Sequence, residues 1–337
     1  MRSTTLVAGL AASLVVAGLV AGSRPAGAGE IILGFSAIVG NQSASWVAYE
    51  SKSFEQQGLK VRLVYIQSGA VSSAAMLAGE AEFVLQSGPA VALSNLGGAD
   101  IVMILGVTDR FIYQIYGAKG IRRVEELKGK IVAVQRIGAD MSYIGPRYAL
   151  RQAGLDPDRD VVYRAIGAQG ARLAALQTGQ VHATALAPPV NLQARKLGLP
   201  LLVDMIPLKI EYFMNGVAAR KSYVEAHPEL TLRFVKGFAA GIHFYKTRRE
   251  ASLEIIGKYM RIRDQEVLEE AYRIYAQELL ARKPYPSVKA MQAVLDDLAQ
   301  SDPRARTARA EELVHDRFVR EADRSGFLDA LYQPSSR

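Results

Sequence analysis

Residues 73–89 read SAAMLAGEAEFVLQSGP, and residues 173–189 read LAALQTGQVHATALAPP. The two stretches share identities at a constant offset, at Ala74/Ala174, Ala75/Ala175, Gly79/Gly179 and Pro89/Pro189. Each copy predicts a helix that ends at a Gly, a short apolar strand, and a second helix that opens at a Pro, since Gly favours helix ends and Pro favours the first helical turn. The repeat therefore predicts two halves with related α/β topology.

Apolar segments of strand length occur throughout the first two thirds of the chain. They are 31–35, 61–66, 81–85, 101–106, 131–134, 161–165, 181–186 and 201–205. Helical patterns separate them, including 44–57, 141–152 and 190–197, each followed by a Gly within two residues. Strands that alternate with helices predict βαβ units and largely parallel sheets.

The last third of the sequence is helical in pattern. Amphipathic segments cover 230–246, 251–260, 265–280, 288–299 and 311–322, and Asp264 and Ser287 stand at predicted N-cap positions. Two aromatic, Gly-containing segments, 111–118 and 211–219, are extended in character and predict a two-strand hinge around a cleft. We therefore expect one lobe from 30–115 plus 208–337, a second lobe from 116–207, and a helical tail packed on the first lobe.

Composition limits the classes of function. The chain has 337 residues, 41 Lys and Arg against 33 Asp and Glu, a net charge of +8 and no Cys. The absence of Cys excludes disulfides, thiolate metal sites, Cys nucleophiles and Fe–S clusters. The basic excess is spread along the chain rather than gathered in blocks, so we expect no nucleic-acid partner.

The amino terminus has the pattern of an export signal. Residues 1–28 contain no acidic residue, carry Arg2 before the apolar run 6–22, and end in Ala26-Gly27-Ala28. A basic start, an apolar middle and a small-residue exit predict a secretory signal peptide cleaved near Ala28. An uncleaved membrane anchor is the alternative. Either way, the pattern predicts an exported protein, and a bacterial periplasmic one once the signal is removed.

No catalytic or metal motif is evident. The four histidines, at 182, 227, 243 and 315, are widely separated and form no HxxxH or HExxH pattern. The sequence contains neither a GxSxG elbow nor a GxxxxGK[ST] loop. We therefore predict a protein without catalytic residues, bound metal or organic cofactor.

Several motifs, in order and spacing, carry a family resemblance. They are FEQQGLKV at 54–61, Ser68-Gly69, LAGEAEF at 77–83, VEELKGKIVAV at 124–134, GQVHA at 179–183 and His227-Pro228-Glu229. Together the motifs resemble the substrate-binding proteins of bacterial ABC importers, in the branch that binds nitrate, taurine, aliphatic sulfonates and thiamine-pyrimidine precursors. The match runs from about residue 31 to residue 258.

The resemblance implies a type II periplasmic-binding-protein fold. It also implies a monomer that traps a small-molecule solute between closing lobes and delivers it to an ABC permease in the inner membrane. We expect the solute to be organic and anionic. The alternatives are an enzyme of the pyrimidine-precursor superfamily, whose Cys-rich segment is absent here, and a ligand-presenting partner of a membrane sensor.

The predicted strand ends supply candidate ligand contacts. In open α/β sheets, ligands lie beyond the carboxyl ends of strands, where helix N-termini favour anions. The candidates of this kind are Ser36, Ser68, Gly69, Ser87, Gly88, Gly138 and Pro188. The resemblance places ligand contacts in the same loops. Each Ser and Gly either binds ligand or only caps a helix.

Charged and aromatic side chains complete the predicted site. Arg110 and Arg136 follow strands, and a guanidinium binds carboxylates and sulfonates through paired hydrogen bonds. The alternative partners are Asp109 for Arg110 and Asp140 for Arg136. Asp140 stands where the family commonly has Ser or Thr, and its carboxylate favours an amine or hydroxyl over an anion. Trp46, Tyr113, Tyr143 and Tyr212 are predicted to lie near the mouth or hinge and to wall the site, with core packing as the alternative for Trp46.

Overall fold

The computed structural model describes residues 29–138 and 140–333. The predicted signal peptide, residues 1–28, lies outside the described residues. The strands are β1 (Ile31–Phe35), β2 (Val61–Tyr65), β3 (Phe83–Gln86), β4 (Ile101–Arg110), β5 (Gln114–Gly117), β6 (Lys130–Val134), β7 (Val161–Ala165), β8 (Ala183–Leu186), β9 (Leu201–Asp204) and β10 (Glu211–Arg220).

Helices alternate with strands in the first two thirds of the chain. They are α1 (Ser43–Glu50), α2 (Gly69–Leu77), α3 (Gly88–Leu96), α4 (Met141–Gln152), α5 (Gln169–Gln177) and α6 (Val190–Lys196). The tail contains α7 (Lys221–Ala226), α8 (Pro228–Thr247), α9 (Arg249–Met260), α10 (Gln265–Tyr272), α11 (Val288–Leu298), α12 (Arg317–Arg324) and α13 (Phe327–Ala330). A π-helix, Arg273–Leu279, continues α10.

In the described part of the chain the strands form two five-stranded sheets. Their orders are β2-β1-β3-β10-β4 and β7-β6-β8-β5-β9. In each sheet four of the five strands run in the same direction. The fourth strand in the order, β10 or β5, runs antiparallel to both of its neighbours. The predicted pair of α/β lobes with related topology is thus confirmed.

The repeat occupies equivalent places in the two sheets. After α2, Gly79 adopts a φ of +76°, and after α5, Gly179 adopts a φ of +73°. This left-handed conformation is one that Gly adopts without the steric cost a Cβ would bring. β3 and α3 follow the first Gly, while β8 and α6 follow the second.

The segments expected as hinge strands are for the most part sheet strands. Half of 111–118 forms β5, and all of 211–219 lies within β10, each between two other strands. The chain crosses between the sheets at residues 111–113 and again at residues 205–210. The two crossings are shorter than the sequence pattern suggests because pairing with distant strands extends both sheets toward the hinge.

The helical tail packs on the first sheet. Helix α8 packs closely on α1 at Gly241. A Cβ added at this position would lie only 2.4 Å from the Cβ of Ala48. Phe234 of α8 stacks on Phe83 of β3 with ring centroids 3.8 Å apart. The predicted N-caps are confirmed at α10 and α11, where Asp264 and Ser287 accept hydrogen bonds from the first turn. None of the helices in residues 29–138 and 140–333 has the length and apolar character that a bilayer span requires.

Candidate functional site

A cavity of about 110 Å³ lies where the two sheets face each other. It is bounded by the loops that follow β1, β2, β3 and β6, by the start of α4, by the crossing at residues 111–113, and by β10. Its lining residues are Ser36, Ala37, Val39, Asn41, Gln42, Ser68, Gly69, Ala70, Ser87, Tyr113, Gln135, Arg136, Ile137, Asp140, Met141, Met214 and Asn215. Six of the twelve predicted site residues lie on its wall: Ser36, Ser68, Gly69, Ser87, Arg136 and Asp140.

Three serines of the first lobe line the cavity from adjacent strand ends. Ser36 donates to the carbonyl of Leu85 at 3.2 Å, which ties the loop after β1 to β3. Ser87 caps α3 by accepting from the backbone N–H of Ala90 at 3.4 Å. Because parallel strands end at one edge of a sheet, a short loop after each strand brings these hydroxyls to the same wall.

Ser68 has an unusual backbone and a partner on the other lobe. It precedes α2 with φ +73° and ψ 153°, a region that residues other than Gly seldom occupy. Its Oγ accepts from Arg136 Nη1 at 2.8 Å. Arg136 follows β6 of the second sheet, so this hydrogen bond joins the two lobes at the cavity.

Asp140 stands at the start of α4 with its carboxylate on the cavity. It caps the helix by accepting from the backbone N–H of Ser142 at 2.8 Å, and its Oδ1 also accepts from the Ser142 hydroxyl. Burial raises the pKa of Asp140, and the bonds from Ser142 and the positive charges of Arg172 and Arg136 oppose that rise. The carboxylate forms no ion pair with any group in residues 29–138 and 140–333.

A buried cation lies behind the cavity. Arg172 is 1% exposed, and its guanidinium donates to Thr184 Oγ1, the Gly167 carbonyl and the Ala185 carbonyl at 2.7–3.1 Å. Burial lowers the pKa of Arg172, whereas Asp140 and Tyr113 act in the opposite direction. Burial likewise raises the pKa of Tyr113, whose side chain forms part of the cavity wall. Asp140, Arg172 and Tyr113 therefore influence one another electrostatically, although the hydrogen bonds of Arg172 go to neutral oxygens.

Comparison with known families identifies the chain. The model of the family described as NMT1/THI5 like matches residues 41–251, which include most of the cavity wall. The chain belongs to the NMT1/THI5-like family. No curated protein sequence matches this NMT1/THI5-like chain significantly.

Solved structures share the fold of this NMT1/THI5-like protein at low identity. The alkanesulfonate-binding protein SsuA from Xanthomonas axonopodis pv. citri, bound to MOPS, is 18% identical with a TM-score of 0.69 and covers 88% of this chain and 100% of its own. The periplasmic nitrate-binding protein NrtA from Synechocystis PCC 6803 is 13% identical with a TM-score of 0.74 and covers 91% of each chain. A DSZB mutant in complex with biphenyl-2-sulfinic acid is 14% identical with a TM-score of 0.65 and covers 88% and 99%. The chain thus has the periplasmic-binding-protein fold that ABC importer substrate-binding proteins have.

Three predicted site residues of this NMT1/THI5-like protein are buried in packing rather than at the cavity. Trp46 is fully buried and stacks on Tyr259 at 5.0 Å, so its alternative role in the core is the one observed. Tyr212 packs on Phe111. At Gly88, α3 packs so closely on β10 that a Cβ would lie 2.7 Å from the Phe213 carbonyl oxygen. This packing accounts for a Gly at position 88.

Three more predicted residues lie outside the cavity. Arg110 lies 3.9 Å from Asp109, the alternative partner considered from sequence, and also contacts the Glu278 carbonyl. Gly138 has a φ of +108° and is exposed beside the cavity loop, and Ala139 lies outside the described residues. The Pro188 carbonyl accepts from the Tyr275 hydroxyl at 2.8 Å, a contact between the second lobe and the tail.

Several cavity residues were not among the predicted contacts. Asn215 donates through Nδ2 to the Asn41 carbonyl at 2.7 Å, and Gln42 also lines the polar wall. Tyr113, which the sequence placed near the mouth, lines the cavity as well. The sequence does contain one indication of this part of the site, because Asn215 is a polar side chain within the otherwise apolar segment 212–219. Within residues 29–138 and 140–333, no group of three or more His, Asp or Glu side chains is placed to hold a metal ion.

Proposed function

We propose that this protein is the solute-binding component of an ABC importer. It captures a small organic solute between its two lobes and presents it to an inner-membrane permease. The observation that carries the proposal is a cavity walled by both lobes, with Arg136 of one lobe bonded to Ser68 of the other. A solute held there gains contacts from both lobes only when the cleft is closed, so binding stabilises the closed form.

The chemistry of the cavity fits reversible capture. Hydroxyl, amide and phenol groups on its wall orient a ligand through hydrogen bonds, while Val39, Met141 and Met214 cover its apolar parts. The guanidinium of Arg136 supplies the charge for a carboxylate or sulfonate. These groups are suited to holding a solute rather than to transforming it, and we propose binding without catalysis.

The proposed site of action is the periplasm. Residues 1–28 have the composition of a cleavable signal, and the solved relatives include proteins described as periplasmic. Expression of the full chain in a Gram-negative host tests this part of the proposal. We expect a periplasmic protein whose first residue is near Gly29, whereas full-length chain in the membrane fraction would contradict it.

The binding function is tested with a defined panel of small solutes. Carboxylates, sulfonates, nitrate, amino acids, amines and pyrimidines are screened by thermal shift, and each hit is followed by small-angle X-ray scattering. We expect at least one solute to raise the melting temperature and to lower the radius of gyration. A panel that produces neither change, or a member that is converted to a product detected by mass spectrometry, would overturn the proposal.

A further inference from the structure

One tyrosine of the tail contacts loops of both lobes. Tyr275 lies in the π-helix Arg273–Leu279 and is 2% exposed. Its hydroxyl donates to the carbonyl of Pro188, in the loop after β8, at 2.8 Å. Its ring lies against Gly40, in the loop after β1, where an added Cβ would be 2.1 Å from ring atom Cε2. Tyr275 therefore stands between the first lobe and the second.

These contacts lie directly behind the cavity wall. Val39 and Asn41, on either side of Gly40, line the cavity. Tyr275 is not itself among the lining residues. Burial raises the pKa of the Tyr275 hydroxyl, and Tyr113 of the cavity wall, which is close enough to act on it, adds to the rise. Any influence of Tyr275 on a solute is therefore exerted through the loops that it touches.

The two loops meet without spare room. A Cβ at Gly40 would lie 2.9 Å from the Pro188 carbonyl oxygen, in addition to its overlap with the Tyr275 ring. Gly40 is itself fixed, because its carbonyl accepts from Ser43 Oγ at 2.5 Å. That hydroxyl also shares a hydrogen bond of 2.8 Å with Tyr245 of α8. In a packed interior even one added methyl group is felt, so the groups between the loops set the distance between them.

The π-helix that carries Tyr275 is held from the side of α8. The backbone N–H of Leu280 donates to the Tyr275 carbonyl at 3.1 Å. Lys246 donates through Nζ to the carbonyls of Ala276 and Leu280 at 2.5 Å and 2.7 Å. Hydrogen bonds from a charged donor are stronger than those between neutral groups, and π-helical turns recur at functional sites. Lys246 thus stabilises the turn that directs Tyr275 toward the second lobe.

A second contact between the tail and the second lobe is more exposed. Lys196 of α6 forms ion pairs with Asp264 and Glu266 at 3.0 Å and 2.7 Å, and these three side chains are 39–67% exposed. Exposed ion pairs contribute little and are screened by salt. The Tyr275 bond is buried. Loss of its hydroxyl would leave the Pro188 carbonyl unsatisfied until the lobes part and water reaches that oxygen.

We infer that Tyr275 is a positioning residue that holds the two lobes in the arrangement in which both wall the cavity. The inference rests on the proposed function, since such a contact matters to a protein whose lobes part to admit a solute. It predicts that the unliganded chain already populates the closed arrangement in solution. A solute then binds a preformed cavity, and its apparent affinity rises in proportion to the closed fraction.

The distance between the lobes tests the inference without any ligand. The chain has no Cys, so Glu80→Cys and Glu125→Cys place one spin label at an exposed position of each lobe. Pulsed electron paramagnetic resonance then gives the distribution of distances between the labels. We expect Tyr275→Phe to raise the ratio of long to short distances roughly fivefold, the effect of one buried hydrogen bond between neutral groups. An unchanged distribution, or a parent protein with long distances only, would overturn the inference.

Tyr272→Phe is the matched control. The Tyr272 hydroxyl also donates to a carbonyl, that of Lys246 at 3.1 Å, but both residues belong to the tail. We expect both tyrosine variants to lower the urea concentration at the midpoint of unfolding, and only Tyr275→Phe to change the distances. Equal opening in the two variants would show a general loosening of the tail and would contradict the assignment to Tyr275.

A methyl group at position 40 tests the steric part of the same contact. Gly40→Ala should raise the share of long distances, because its Cβ meets the Tyr275 ring and the Pro188 carbonyl. Gly170→Ala is its control, since Gly170 lies in α5 of the second lobe with no atom of the described residues within 4 Å of an added Cβ. A parental distribution in Gly40→Ala would mean that this contact does not set the distance between the lobes, against the inference.

The outcomes separate this inference from the proposed function. If Tyr275→Phe leaves the distances unchanged while a solute of the panel raises the melting temperature and lowers the radius of gyration, the role of Tyr275 is wrong and the binding function stands. If Tyr275→Phe opens the lobes while no solute of the panel binds, the role of Tyr275 stands and the proposed function fails.

Discussion

Arg136 Nη1 lies 2.8 Å from Ser68 Oγ, and the two residues belong to different lobes. This hydrogen bond lies at the edge of the cavity. The pair therefore favours the arrangement in which both lobes wall the cavity. A charged donor on a neutral hydroxyl is worth about 1.5–3 kcal/mol when buried. Arg136 is exposed, so we expect a value near or below the lower end.

Arg136→Ala is expected to open the unliganded protein. Loss of about 1 kcal/mol from the closed form would change the ratio of closed to open molecules roughly fivefold. Small-angle X-ray scattering measures this as a larger radius of gyration than that of the parent protein. The control is Arg122→Ala, an exposed residue of the same lobe that does not line the cavity. Equal radii for the two variants would contradict the prediction.

Ser68→Gly is expected to be more stable than Ser68→Ala. Both variants lose the hydroxyl, but only Gly occupies φ +73° and ψ 153° without strain. Such strain costs about 1–3 kcal/mol, which exceeds the extra chain entropy of Gly of about 0.5–1 kcal/mol. We therefore expect the Gly variant to have a free energy of unfolding about 1 kcal/mol above that of the Ala variant, measured by urea denaturation. A Ser68→Ala variant that is as stable as Ser68→Gly, or more stable, would contradict this prediction, because strain at a φ of +73° would then be negligible.

Local sequence signals predicted most of the elements. The strands Ile31–Phe35 and Val161–Ala165, the helix Met141–Gln152 and the two N-caps in the tail follow from apolar runs, Gly stops and capping residues, all of which act within a few residues. The cavity serines followed from a topological rule that places ligands at strand ends.

Contacts between residues far apart in the sequence explain why the sequence-based predictions for Trp46 and for the segment 211–219 were wrong. Trp46 is buried because Tyr259, more than two hundred residues later, covers its ring. The segment 211–219 is a central strand because β3 and β4 pair with it on both sides, and the same pairing brings Asn215 to the cavity. The residue pattern around Trp46 does not indicate that Tyr259 packs on it, and the pattern of 211–219 does not indicate pairing with β3 and β4.

The tail also links the two lobes through Arg151 and Asp297. Arg151 of α4 forms an ion pair with Asp297 of α11, whose Oδ2 also accepts from the Tyr212 hydroxyl at 3.2 Å. Both charged side chains are less than one quarter exposed. A double-mutant cycle with Arg151→Ala and Asp297→Ala is expected to give a coupling free energy of about 1 kcal/mol or more in urea unfolding.

The pair Arg147–Asp158 is the control for this link. Arg147 belongs to the same helix α4 and Asp158 to the segment that follows it, so both partners lie in the second lobe, and Asp158 is 64% exposed. We expect Asp158→Ala to leave the radius of gyration unchanged and Asp297→Ala to increase it. If both variants scatter like the parent protein, the tail does not restrain the cleft.

The stability of the protein is expected to depend on pH through Asp140. Burial raises the pKa of this carboxyl, so the folded chain binds a proton that the unfolded chain has released. The free energy of unfolding then falls as pH rises from the ordinary carboxyl range through the folded pKa. Asp140→Asn removes that loss, so its stability relative to the parent should increase as pH rises from the ordinary carboxyl range, near pH ~4, through the raised pKa.

Asp302 is expected to show the opposite sign. Hydrogen bonds from Arg304 lower its pKa, so its contribution to stability is present at neutral pH and disappears as pH falls through the folded pKa. Asp302→Asn should therefore lose stability relative to the parent as pH rises from acid up to the ordinary carboxyl range, and the difference should stay constant above that range. Urea unfolding at several pH values measures both differences, and parallel curves for the two variants would contradict the pKa direction of Asp140.

Trp46 is expected to report on the core of the first lobe and not on the ligand. Its ring is fully buried, stacks on Tyr259 with 6° between the planes, and contacts the edge of Phe35 at 5.9 Å. Trp46→Phe should lower the free energy of unfolding by about 1–3 kcal/mol, because the smaller ring leaves space in a packed core.

The affinity of the same variant for solute should stay within about twofold of the parent, a difference of about 0.4 kcal/mol. Tyr113→Phe provides the contrast, because Tyr113 lines the cavity and its hydroxyl is available to a solute. Calorimetry with a solute that closes the lobes should show weaker binding for Tyr113→Phe and near-parental binding for Trp46→Phe. The reverse order would place the ligand against Trp46, as the sequence alone suggested, and would mean that the cavity between the strand ends is not where the solute binds.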